Sequence, residues 1–85
     1  MELEAGLRQL LVQLASIGVS NDILGTALDY LEYREYGVCI EYVADVLFET
    51  SHPIPLDVYS NIETLAIMMH LPEASYSFLK QLLPR

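Results

Sequence analysis

The chain has 85 residues, 53% of them hydrophobic, with twelve acids against four bases and a formal net charge of −8. That length holds one domain, residues 1–85, whose single core buries roughly 60 to 65% of the unfolded chain's surface. The apolar content excludes an intrinsically disordered chain, which combines high charge with little apolar material.

Four bases cannot build the basic patch that direct nucleic-acid binding requires. The longest apolar run, residues 65–69, is far short of the roughly 20 residues that span a bilayer, so no membrane partner is expected. Met1 is followed by Glu2 and Glu4 rather than a basic leader region, and the lone Cys39 has no partner for an internal disulfide. A reducing, cytoplasmic compartment is the expected setting.

Leu3, Leu7, Leu10, Leu14 and Ile17 recur at steps of four and three and predict an amphipathic helix over residues 2–17. Gly18 follows as its C′ residue, and Glu4 and Arg8 form an i,i+4 pair in the favourable order. Ser20 and Asn21 supply capping oxygens for a second helix, with Ile23, Leu24, Ala27, Leu28 and Leu31 as its stripe, ending before Gly37. A third helix over residues 38–50 buries Cys39, Ile40, Val43, Val46 and Leu47; its β-branched content admits a strand, but the helical spacing of Glu41, Asp45 and Glu49 favours a helix.

His52-Pro53-Ile54-Pro55 makes a rigid corner, because each proline removes a backbone donor and pushes its predecessor out of the α region. Asp57 then caps a fourth helix that turns Val58, Ile62, Leu65, Ala66 and Met69 inward. Pro72 and Glu73 open a fifth helix running to Leu83, with Phe78, Leu79, Leu82 and Leu83 apolar. Short connections force the helices together, and the predicted fold is all-α: a compact bundle of four to five short helices.

The charge is not spread evenly. Residues 22–63 hold nine acids against one base, Arg34, while in the flanks Glu2, Glu4 and Glu73 cancel Arg8, Lys80 and Arg85. A charge confined to one stretch of helices creates a directed field that draws a basic partner. On the third helix Glu41, Asp45 and Glu49 stand four apart with no base at i±3 or i±4, and each like-charge neighbour costs about 0.2 to 0.5 kcal/mol. On a second helix extended to residue 36, Asp22, Asp29, Tyr33 and Tyr36 fall on the face opposite Leu24, Leu28 and Leu31, with Glu32 at the margin. Tyrosine beside carboxylate is typical interface material, a rigid contact with a polar tip. The candidate partner-binding residues are therefore Asp29, Glu32, Tyr33, Tyr36, Glu41, Asp45 and Glu49.

No enzyme is expected. Paired-carboxylate catalysis needs a cleft that separates the two pKa values, which so small a bundle seldom provides. Cys39, His52 and His70 match no metal-ligand spacing, Cys39 reads as a small core residue, and the histidines read as helix-end residues. The chain has no calcium loop, phosphate-cradling Gly-rich loop or nucleophile elbow, so no catalytic residue, metal or cofactor is assigned. The Asp-Ser-Leu motif of acyl carrier proteins is also absent, Ser60 lying between Tyr59 and Asn61.

Three stretches carry a family resemblance: Tyr33-Arg34-Glu35-Tyr36-Gly37 leading to Ile40-Glu41, Pro53-Ile54-Pro55 leading to Tyr59-Ser60-Asn61-Ile62, and Met69-His70-Leu71-Pro72. Over residues 28–83 the chain resembles the MafI-type immunity proteins, small bacterial proteins encoded beside polymorphic MafB toxins. The resemblance implies a non-enzymatic inhibitor that neutralises the toxic C-terminal domain of its producer's own toxin, commonly a nuclease. Such an enzyme has a basic substrate site, which carboxylates can occupy in place of phosphates. The alternative is an acidic helical scaffold or oligomerisation module with no toxin partner. Tyr and Leu side chains at helix ends also leave a homodimer open.

Overall fold

The structure is a computed structural model that describes residues 2–84. It contains four α-helices, α1 (Leu3–Ser16), α2 (Asn21–Glu32), α3 (Tyr36–Glu49) and α4 (Leu56–Met68), followed by two 3-10 segments, Glu73–Ser75 and Ser77–Leu82. No strand occurs among the described residues, so α3 is a helix despite its β-branched side chains. The architecture is an all-α bundle in which α1 packs on α2 and α4, α2 packs on α3, and the second 3-10 segment lies against α3.

The apolar stripes converge on one core. Leu7, Leu10 and Leu14 of α1 meet Ala27 and Leu31 of α2, Ile40, Val43 and Leu47 of α3, and Val58, Ile62 and Leu65 of α4, all buried. Only apolar side chains and tyrosines enter it, so no buried charge has to be compensated. Two polar contacts join the helices: Asn61 Nδ2 donates to Gln13 Oε1 at 2.8 Å between α4 and α1, where both side chains are part-buried, and inside the core the Cys39 thiol donates to the Ala27 carbonyl at 3.4 Å between α3 and α2.

Helix ends explain the chain's path. Ser20 Oγ accepts from the Ile23 N–H and caps α2, the role offered equally to Asn21, which is instead its first residue. All four α-helices close in the same Schellman pattern, with 5→2 and 6→1 hydrogen bonds in the last turn. In α1 the Gly18 N–H donates to Ala15 and the Val19 N–H to Leu14, with Gly18 at φ +90°. The other three use non-glycine residues in the left-handed position: Arg34 (φ 60°), Ser51 (φ 50°) and His70 (φ 58°). Their successors Glu35, His52 and Leu71 donate back to Tyr30, Leu47 and Ala66.

Three expectations need correction. The second break falls at Tyr33–Glu35 rather than at Gly37, because Arg34 supplies the left-handed turn; Gly37 lies inside α3. Asp57 does not cap α4: Pro55 is the N-cap residue, and Asp57, second in the helix, accepts from the Val58 N–H at 2.9 Å. The fifth helix is not continuous. Tyr76, at φ −144° and ψ −17°, splits it into 3-10 segments so that its buried ring reaches Tyr59, with centroids 6.2 Å apart. The Ile54 N–H then ties the proline corner to the Leu82 carbonyl at 3.1 Å.

Candidate functional site

The candidate site lies on α2 and α3. Helical spacing on α3 sets Glu41, Asp45 and Glu49 in one exposed row, while Ile40, Val43, Ala44 and Leu47 of the same helix are buried. Among the described residues the ion pairs involve Arg8 alone, with Glu4 at 3.4 Å and Glu32 at 3.9 Å. The three α3 carboxylates therefore stand without a salt-bridge partner. Val38, 42% exposed, continues the same row one turn earlier and puts an apolar contact at its head. The acidic spacing alone did not single it out, although its position at i−3 from Glu41 was the available signal.

Backbone charge adds to the field. A helix C-terminus carries about half a negative charge, and a cation in the last turn normally offsets it. None of the four α-helices has one. Glu32 is the last residue of α2 and Glu49 the last of α3, so two of the candidate carboxylates sit where the helix dipole already repels them.

The α2 half of the site differs from its expected form. Asp29 and Glu32 are exposed on α2, and Tyr33, its C-cap residue, is 81% exposed. Tyr36 does not share their face. Since α2 ends at Glu32, Tyr36 opens α3, packs half-buried against the core, and donates its hydroxyl to Glu4 Oε1 at 3.2 Å. Burial and the adjacent Glu4 carboxylate push its phenol pKa above the usual 10.0. Tyr36 thus belongs to an internal chain that runs through Glu4 and Arg8 to Glu32, and its hydroxyl is not free for a partner.

The remaining tyrosines hold the site's scaffold. Tyr30 of α2 and Tyr42 of α3 pack at 5.6 Å between ring centroids, locking together the two helices that carry the acids. Tyr59 and Tyr76 are buried, which raises both phenol pKa values, and the Tyr59 hydroxyl finds no hydrogen-bond partner among the described residues.

The chemistry available is electrostatic. Cys39 is buried with its thiol pKa pushed up to about 11 by desolvation, so it is held as the protonated thiol rather than the nucleophilic thiolate. His52 and His70 occupy the residues just past α3 and α4, as helix-end residues, and the His52 Nδ1 contacts the Pro53 carbonyl at 2.8 Å. No cluster of metal-ligating side chains occurs among the described residues, nor any helix long and apolar enough to cross a membrane. No family model, curated protein or solved structure matches the chain.

Proposed function

We propose that the protein is a non-enzymatic immunity protein that binds a basic toxin domain, such as a nuclease, through the exposed carboxylates of α2 and α3. The observation that carries this reading is the unpaired row Glu41, Asp45 and Glu49, exposed on one face and unneutralised by any base of the described residues. A row kept only for solubility has no need of like charges four apart, since the repulsion destabilises the helix.

Docking a basic surface on this row relieves that repulsion and the uncompensated dipole of α3 together. Tyr33 and Val38 supply rigid and apolar contacts beside the acids, while Asp29 extends the negative surface across α2 and Glu32, offset in part by Arg8, lies at its edge. Steered association makes the on-rate fall with added salt, whereas the aromatic and apolar contacts set the off-rate. The resemblance supplies the partner's biological identity; the charge supplies its sign.

The test is co-expression. A toxic C-terminal domain encoded beside this gene is expressed with and without the chain, and cell survival is scored. Rescue by the wild-type chain, weakened when Glu41, Asp45 and Glu49 become Gln, Asn and Gln, supports the reading. Rescue that is absent, or indifferent to those substitutions, contradicts it.

A further inference from the structure

The groove between α1 and α2 is apolar along its floor and acidic along its α2 side. Leu11, Val12 and Ala15 of α1 and Leu24, Gly25 and Leu28 of α2 line an open trough of about 490 Å³, with Arg8 at its edge. Val12 is 69% exposed and Leu28 36% exposed, so apolar side chains stand in solvent although the core beneath is built from others. Asp22, Asp29 and Glu32 lie at i−3, i+4 and i+7 from Gly25, exposed on the face of α2 that Leu28 shares. We propose that this groove receives an amphipathic helix with an apolar stripe and basic flanks; that the helix belongs to the toxin domain rests on the reading above.

Charge selects that occupant. Arg8 is the only base at the groove among the described residues, and it is already answered within the chain by Glu4 at 3.4 Å and Glu32 at 3.9 Å. Asp22 and Asp29 have no ion-pair partner among the described residues. A second copy of the chain would set these carboxylates against its own acids, whereas Lys and Arg on the flank of an entering helix meet them with opposite sign.

The lining selects a helix. A small-molecule site covers most of its ligand and offers converging polar groups, and this open apolar trough with one guanidinium at its edge does neither. A helix brings apolar anchors at i, i+3, i+4 and i+7, a stripe that fits the furrow between two packed helices. Gly25 points the same way. It sits inside α2, where glycine destabilises a helix relative to alanine, and its backbone is not in the left-handed region. A Cβ placed there would meet nothing within 4 Å, so no described neighbour requires its absence. The bare backbone leaves the trough open to close approach by a second helix.

Fluorescence anisotropy on the full chain tests this with a labelled peptide of about 14 residues, leucines at i, i+3, i+4 and i+7 and lysines elsewhere, a length marginal as a free helix that should gain helicity on binding. The wild type should bind it, less tightly as salt rises, and should bind a scrambled peptide of the same composition at least about tenfold more weakly. Gly25→Gln, which fills the trough with a better helix former, and Val12→Gln, at an exposed position, should each weaken binding at least about tenfold while thermal melting persists. Neutralising Glu41, Asp45 and Glu49 together should weaken it less than either groove substitution. No binding, equal binding of the scrambled peptide, or binding that survives both groove substitutions overturns the groove's role, whatever the toxin does. With the toxin domain encoded beside the gene, Gly25→Gln should raise the off-rate at least about tenfold. An unchanged off-rate overturns the assignment of the helix to the toxin. Peptide binding in the groove without rescue of cells supports the groove and contradicts the toxin reading, so the two fail separately.

Discussion

Asp45→Lys separates what the acidic row does for the fold from what it does for a partner. Asp45 stands at i±4 from both Glu41 and Glu49, all three are exposed, and no base of the described residues pairs with any of them. Each like-charge pair costs about 0.2 to 0.5 kcal/mol and each opposite pair returns a similar amount, so removing two repulsions and creating two attractions stabilises α3 by about 0.8 to 2 kcal/mol. Lysine's better helix propensity acts in the same direction. For a domain of this size each kcal/mol corresponds to roughly 4–8 °C in Tm.

Thermal melting at low ionic strength reads this directly. The Lys variant should melt at least about 3 °C above wild type, and Asp45→Asn, which only removes the repulsion, should give about half the gain. In 1 M salt the screening length falls to about 3 Å, below the side-chain spacing, so the difference should shrink toward the propensity contribution. A variant that does not melt higher at low salt, or whose gain ignores salt, refutes the claim that the row is an uncompensated electrostatic load.

Glycines at two positions should respond in opposite directions. Gly18→Ala forces a side chain into the left-handed turn after α1 and should lower stability by about 1 kcal/mol, whereas Gly25→Ala should raise it by about 0.5–1 kcal/mol in the free chain; denaturant titration distinguishes the signs. His70→Gly, at φ 58°, should also stabilise, because the left-handed residue ending α4 is then relieved. Cys39 should resist thiol reagents at pH 8 until the chain unfolds, given its burial and a thiol pKa of about 11; rapid labelling of the native protein contradicts this. The phenols of Tyr36, Tyr59 and Tyr76 bind their protons more tightly when folded, so their contribution is complete below about pH 10 and is lost as pH rises through the raised folded values. Tyr59→Phe should reduce that alkaline loss without lowering stability at neutral pH, since the hydroxyl it removes is buried without a hydrogen-bond partner.

Periodicity located the first four helices because each has one apolar stripe and one polar face, and Gly18 marked the end of α1 through a backbone geometry that glycine favours. Where the left-handed residue is Arg34, the amino acid carries no such mark. Gly37 drew the predicted boundary toward itself, and Tyr36 was placed on the wrong helix as a result. The split of the fifth helix was likewise hidden, since the apolar pattern of Phe78, Leu79, Leu82 and Leu83 suits a helix. What breaks the segment is the packing of Tyr76 on Tyr59, a tertiary contact. The acidic row on α3 was legible because spacing alone places Glu41, Asp45 and Glu49 together. The α1/α2 groove was not: Leu28 reads as a core position, and its partial exposure follows from how α2 tilts its buried side toward Ala27 and Leu31.

Co-purification from the native host, under conditions that preserve ionic complexes, shows whether the acidic face of α3 holds a basic partner. The wild-type chain should recover a basic toxin domain in equal stoichiometry. The chain carrying Glu41→Gln, Asp45→Asn and Glu49→Gln should lose that domain while melting at the same temperature or higher. Equal recovery by both chains, or recovery of no basic protein by the wild type, contradicts an acidic docking face on α3.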